Sequence, residues 1–336
     1  MTTDKLAYTI HVAKDTIPGH LSEDTYFIHT SEQSVVLMVG DGAPQRVKTT
    51  GSMRPLLDRY SSDMTPGGYA ARYGRDRLQE LLIADPSCDL KNAILQLNAE
   101  IGQGLADIYG ALTVEAVLQH EPTLDLLRED PRYVRLILPA ACITAARVDL
   151  VHQTVEIAHG ADTALIIHYD DGRVVQVTPD QMGQHDARFL KRLQELVRDG
   201  MRVEDYPASE AKHMDILNGV YHNYADEHGG ADHTVGVGVL NGMPELEHYL
   251  VTDTLSLAGV QGLLLISDGA YWASPLSDAE ATHQQRLELM AEKVIAHGID
   301  GYVREKRVYD AQDFPMEQFP VVGRNDDIVM LYMQFG

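Results

Sequence analysis

The sequence predicts an α+β fold built around antiparallel sheet, and three observations carry that reading. Apolar and β-branched runs of strand length cluster early, in the middle and at the end of the 336 residues. Two helical patterns separate the first cluster from the second. The runs in the middle are joined by hairpin-type turns rather than by crossover helices.

In chain order, strands are expected over residues 7–13, 25–29 and 35–39. Thr65-Pro66 then offers an N-cap followed by proline at the first helical position, so a helix is expected over 69–83. Asp89 caps a second helix, in which Leu90, Ile94, Leu97, Ile101 and Leu105 recur at three and four and share one face. Strands over 143–151 and 154–159 flank His152-Gln153 as a hairpin, and Asp170-Asp171-Gly172 supplies the turn between 164–169 and 174–178. Helical patterns cover 187–198 and 284–296, and further strands are expected over 235–240, 262–267 and 328–334. A single domain over 1–336 is expected, because a chain that is 44% hydrophobic can bury a core and no Pro/Gly/Ser-rich linker divides it. Insertions are expected near 106–135, an acidic stretch, and near 181–233, which carries His213, His222, His228 and His233.

A formal net charge of -23 argues against nucleic acid and anionic membrane surfaces as partners, since their phosphates would be repelled. No apolar leader or run of eighteen apolar residues is present, so the cytoplasm is the expected location. Cys88 and Cys142 are too few for a disulfide framework, and Cys142, beside an expected strand, reads as a buried inert thiol.

The unusual feature is where the apolar runs stop. Ser22-Glu23-Asp24 precedes one strand, Asp41-Gly42 and Asp268-Gly269 follow two others, and Asp326-Asp327 precedes the last. A charge at a buried strand end is expensive to desolvate unless a cation or several donors receive it, so recurring acidic ends point to one shared cation site. Carboxylates suit hard divalent ions such as Mg2+ and Mn2+. Two such ions about 3.5–4 Å apart can share a carboxylate and drive phosphoryl transfer. Either Asp-Gly pair alone reads more readily as a turn, and it is their recurrence that points to the shared site.

Together these residues resemble the type 2C metal-dependent serine/threonine protein phosphatases (the PPM family), as a divergent bacterial-like member. That family's motifs match in order at Ser22-Glu23-Asp24, Asp41-Gly42, Cys142-Ile143-Thr144-Ala145, Ala161-Asp162-Thr163, Ser267-Asp268-Gly269 and Asp326-Asp327-Ile328-Val329. The resemblance implies a central β-sandwich of two antiparallel sheets flanked by helix pairs, four layers ordered α-β-β-α, with two Mn2+ or Mg2+ ions in a cleft at one end. It implies that Asp41 bridges the ions, that Asp268 and Asp326 complete one of them, and that the Gly42 carbonyl serves the other. Glu23 acts through bound water, Asp24 supports from behind, and Asp162 matches an aspartate of a third, weaker ion. The implied activity is hydrolysis of phosphoserine and phosphothreonine by a hydroxide bridging the ions. A phosphorylated protein is the implied substrate, a cognate kinase the implied counterpart, and signalling the setting.

The chain departs from the pattern at four positions. Gly19, with His20 next, stands where the family has a phosphate-gripping Arg; Ala43 stands where some members have a His proposed as general acid. Pro44 replaces a glycine, and Trp272 replaces another aspartate of the third-metal set. No catalytic side chain beyond the metal set is therefore assigned. The alternative reading is a pseudophosphatase that binds a phosphoprotein or partner as a regulatory module. Among weaker signals, the four histidines lack helical ligand spacing and read as solvated loop residues, Gly236-Val237-Gly238 lacks the third glycine of a dinucleotide loop, and Trp272 either walls the cleft or packs in the core.

Overall fold

The computed structural model describes residues 6–16, 19, 21–43, 49, 51–202, 205, 220–226, 228–272, 283–312 and 326–336. His20, Pro44 and His213 lie outside them. The strands, in chain order, are β1 (Tyr8–Asp15), β2 (Thr25–Thr30), β3 (Ser34–Ala43), β4 (Ala140–Asp149), β5 (Thr154–Gly160), β6 (Ala164–Tyr169), β7 (Val174–Gln176), β8 (Tyr221–His222), β9 (Gly236–Val237), β10 (Val251–Ser256), β11 (Val260–Ile266) and β12 (Ile328–Phe335). They form two five-stranded sheets, β1-β12-β11-β6-β7 (sheet A) and β10-β5-β4-β3-β2 (sheet B), antiparallel throughout, plus the small parallel pair β8-β9.

The layering follows from strand periodicity. Along β3, Val35, Leu37 and Val39 point one way and Val36 and Met38 the other, and all are buried. The first set joins Ala146, Val148, Leu263, Leu265, Val329 and Leu331 in the core between the sheets. The second set meets two helices, α1 (Pro66–Ala84) and α2 (Leu90–Tyr109), through Leu78, Ile94, Leu97 and Ile101. On the far side, Ile166, Leu264 and Met330 of sheet A pack against Leu287, Met290 and Val294 of a long helix. A third helix, α3 (Gly183–Arg198), precedes it in the chain, and the long one is α4 (His283–Asp310). The expected α-β-β-α sandwich is present. Each fully buried Leu or Ile contributes about 1.5–3 kcal/mol over an exposed one, so the three apolar layers are what holds the sheets face to face.

Both expected caps form, since the Thr65 side chain accepts from Gly68 N–H and the Asp89 side chain from Asn92 N–H. The residues near 106–135 pack Val117, Leu127, Leu136 and Ile137 into the helix-side core. Three expectations are corrected. Of the strand expected over 235–240, only Gly236–Val237 is extended ladder, paired with β8, and Gly238 beyond it lies against the Cβ of Tyr249. Val251–Ser256, not anticipated, is an edge strand on β5. The helix expected over 284–296 continues to Asp310 across a break at Gly298, whose φ of 68° lies in the left-handed region. Among the described residues, no helix is long and apolar enough to cross a membrane.

Candidate metal centre

Strand pairing sets the site. Thr25 pairs with Gly40 in the β2-β3 ladder, which places Asp24, one residue earlier, opposite Asp41; Asp41 pairs on its other side with Cys142 of β4. Directly opposed residues in an antiparallel pair share a face, so Asp24, Asp41 and Cys142 form a row across the end of sheet B. Asp41 has the parity of Val35, Leu37 and Val39, and the row therefore faces the sandwich interior at its mouth. From sheet A, Asp268 follows β11 and Asp326 precedes β12, and those strand ends are tied by Ser267 N–H to the Val329 carbonyl and by Val329 N–H to Ser267 Oγ, each at 3.0 Å.

The glycines after the aspartates are there for close approach. A Cβ on Gly269 would stand 2.0 Å from the Asp327 carbonyl oxygen, and one on Gly42 would stand 2.6 Å from the Gly67 carbonyl carbon. The first turn of α1 therefore lies directly on the end of β3. The two sheets are also stitched at this end, because Glu23 N–H donates to Asp327 Oδ2 at 2.9 Å.

Electrostatically the cluster is under-compensated. Asp24 is 2% exposed, and its carboxyl is pushed up to about 8, first by burial and then by the Asp268 charge, against the pull of hydrogen bonds from Ser267 and Asp41. Burial, followed by the charges of Asp24, Asp268 and Asp162, drives Asp41 well above the usual carboxylate range. Asp326 rises to about 7, again by burial first and Asp268 second. Glu23 is raised by burial, partly offset by a hydrogen bond from Thr65. Nearby cations direct N–H groups at backbone oxygens: Lys14 Nζ to Asp24 at 2.8 Å, Arg72 Nη2 to Ser22 at 3.1 Å and Arg307 Nη2 to Asp326 at 2.7 Å.

These residues fit hard divalent ions. Asp24 Oδ2 and Asp268 Oδ1 are buried without a hydrogen-bond partner, and a buried carboxylate oxygen in that state needs a cation or a proton. Among the described residues, no group of three His, Cys, Asp or Glu side chains is arranged to hold an ion as it stands. Instead, Asp41 shares hydrogen bonds with Asp24 and with Asp268, the arrangement expected when protons hold a repelling cluster together.

The structure thus brings Glu23, Asp24, Asp41, Asp162, Asp268 and Asp326 to one end of the sandwich, with Gly42 beside them against α1. Asp162 lies in the β5-β6 turn after Ala161, whose φ is 70°. Thr144 is fully buried and bonds His159 Nδ1 at 2.9 Å and Thr163 Oγ1 at 2.8 Å. Gly19 is exposed at φ 84° with nothing within 4 Å of a Cβ built on it. Trp272 packs on α4, its ring centroid 4.5 Å from that of Tyr309 and 5.9 Å from that of Tyr302. One expectation about the histidines is corrected: His222 is buried in β8 rather than solvated, while His228 and His233 are exposed. Sequence reasoning gave Thr65 only its helix cap and Ser267 only a motif place, yet both also bond the carboxyls. The apolar runs flanking them held no signal of it.

No model of a known protein family matches the chain, and no curated protein matches it. Solved structures do. A bacterial serine phosphatase superposes with a TM-score of 0.51 at 13% identity, over 98% of this chain and 98% of that one. Serine/threonine phosphatase Stp1 from Staphylococcus aureus superposes with a TM-score of 0.51 at 14% identity, over 99% of this chain and 96% of that one. At such identities the likeness is one of fold, and it extends over nearly the whole chain.

Proposed function

We propose that this protein is a divalent-metal-dependent phosphomonoester hydrolase, a divergent type 2C phosphatase acting on phosphoserine and phosphothreonine in proteins. The observation that carries this reading is the convergence of Asp24, Asp41, Asp268 and Asp326 at the mouth of a sandwich that has the fold of bacterial serine/threonine phosphatases. Asp41 would bridge two Mn2+ or Mg2+ ions, Asp268 and Asp326 would complete one, the Gly42 carbonyl would join the other, and Asp162 would stand at the periphery. When bound, the ions supply a water acidic enough to attack at neutral pH and charge to offset that of the phosphate.

The chain's own residues prepare that site. Asp327 fixes the Glu23 backbone and Thr65 donates to the Glu23 carboxyl, so Glu23 is held from both sheet and helix at the rim. Ser267 orients Asp24 behind Asp41. Burial strengthens every charge interaction made there, which favours a phosphate ester over a neutral ester. With a net charge of -23, the exterior favours phosphosites flanked by basic residues, such as a cognate kinase would leave on a protein substrate.

The test is hydrolysis of a phosphothreonine peptide and of an aryl phosphate, each with Mn2+ and with chelator. Turnover that requires the metal is expected, and full activity after exhaustive chelation overturns the assignment. One observation favours a second reading: the place of the phosphate-gripping Arg is Gly19, exposed and without neighbours. Phosphopeptide binding with no turnover at saturating Mn2+ would identify a pseudophosphatase that reads phosphorylation without removing it.

A further inference from the structure

Cys142 has no part in the metal set described above, yet it stands inside it. It is the direct ladder partner of Asp41, and opposed side chains in such a pair lie about 4.5–5.5 Å apart at Cβ on a common face. Its thiol is buried, forms no disulfide, and is hydrogen-bonded to Asp162 with Asp41 and Asp268 next in influence. Carboxylates from three different elements, Asp41, Asp162 and Asp268, thus lie near the sulfur. The apolar neighbours on its other flank, Ala140, Ala161, Val237 and Val239, seal that side from water. A second observation points to a ligand on the same row: Asp24, 2% exposed and accepting a hydrogen bond from Asp41, has a buried Oδ2 with no hydrogen-bond partner.

We propose that Cys142 is a sulfur donor to the ion bridged by Asp41, which makes this a mixed oxygen-sulfur site that takes thiophilic divalent ions such as Cd2+, Co2+ or Zn2+ more tightly than an all-carboxylate site does. The proposal rests on the metal-centre reading. Binding breaks the S–H bond, forms a sulfur-metal bond and releases one proton to the buffer, with no change of oxidation state. Thiolate ligands select softer ions, whereas oxygen ligands serve Mg2+ and Mn2+. The choice of metal would then be set by a residue of the first strand after the helices rather than by the acidic strand ends.

The experiment uses the full chain with Cys88→Ser, which removes the only other thiol. The metal-stripped protein is titrated with Cd2+ and, separately, Co2+, and the sulfur-to-metal charge-transfer band is read in the near ultraviolet. A band saturating at one ion per chain is expected, absent after Cys142→Ser. Cd2+ affinity should drop by about tenfold or more in that variant, while Mn2+ affinity changes by less than about threefold. Cys142→Ala, checked by circular dichroism, serves if the serine variant does not fold. Calorimetric binding of Cd2+ and Mn2+ without any charge-transfer band overturns the sulfur assignment and leaves the metal centre standing. Failure of every divalent ion to bind overturns both.

Discussion

Replacing Asp24 by asparagine should stabilise the metal-free protein at neutral and alkaline pH. In the folded state this carboxyl is pushed up to about 8, whereas in an unfolded chain it titrates near its ordinary value of 3.8. Between those limits the folded protein retains a proton that the unfolded chain has already lost. The stability associated with that proton is fully present below about pH 4 and is lost as pH rises through about 8. Relative to the acid limit, the loss at pH 7 amounts to about 4 kcal/mol, taking roughly three pH units at 1.36 kcal/mol each. The asparagine side chain has the same shape, cannot ionise and can still accept from Asp41 through its amide oxygen. In a chain of this size each kcal/mol moves Tm by about 2 °C, so Asp24→Asn should melt on the order of 5–10 °C above wild type at pH 8 in chelator, with the gap closing toward pH 4. Saturating Mn2+ should reverse the order, because wild type then offers a full set of charges to the ion. The assay is thermal unfolding by circular dichroism across pH 4–8.5, with chelator and with Mn2+. An Asp24→Asn variant that melts below wild type at pH 8 in chelator would show that the cluster is not held together by protons, and the account of its electrostatics would fail.

Asp41→Asn and Asp268→Asn should each cut turnover of an aryl phosphate by orders of magnitude while leaving the circular dichroism spectrum unchanged; near wild-type turnover at saturating Mn2+ would remove that residue from the ligand set. Gly269→Ala should lower Tm and activity together, since its Cβ would stand 2.0 Å from the Asp327 carbonyl oxygen and must push the β12 approach away from β11. Thr144→Val should cost about 1–3 kcal/mol in urea unfolding, because it strands His159 Nδ1 and the Thr163 hydroxyl in a dry core. Lys306→Ala should cost about 3–5 kcal/mol, because it takes away the buried cation that faces Asp310, whereas Lys306→Met with Asp310→Leu should recover most of that loss.

The acidic strand ends were legible because an apolar run that stops on Asp conflicts with desolvation whatever the fold, and the two capped helices were legible because Thr65-Pro66 and Asp89 act locally. What escaped was set by partners distant in sequence. Val251–Ser256 is mostly exposed and broken by Asp253, so nothing local distinguishes it from a loop; only its pairing with β5 makes it a strand. Gly42, Gly67 and Gly269 look like turn residues, and only the packed structure reveals them as the points where α1 meets β3 and β12 meets β11. Cys142 read as inert because its distance from Asp41 in sequence hides a shared ladder position. Gly19 matched a motif place by spacing, but its left-handed backbone means that an arginine there would be strained as well as new.

The position of β12 has a consequence for how the molecule assembles. This strand, the last in chain order among the described residues, is an inner strand of sheet A, and β1, the first, pairs with it alone. The Glu23–Asp327 bond correspondingly closes a span of 304 residues. Strands β2 to β5 pair in chain order, so that part of sheet B can form with α1 and α2 while sheet A still waits for β12, whose pairing with β1 has very high sequence separation. The sheet B carboxylates, Asp24 and Asp41, consequently meet Asp268 and Asp326 of sheet A only in the final closure, when most apolar burial already favours the native state. Divalent ions added during refolding should therefore leave the early phase unchanged and accelerate the last one.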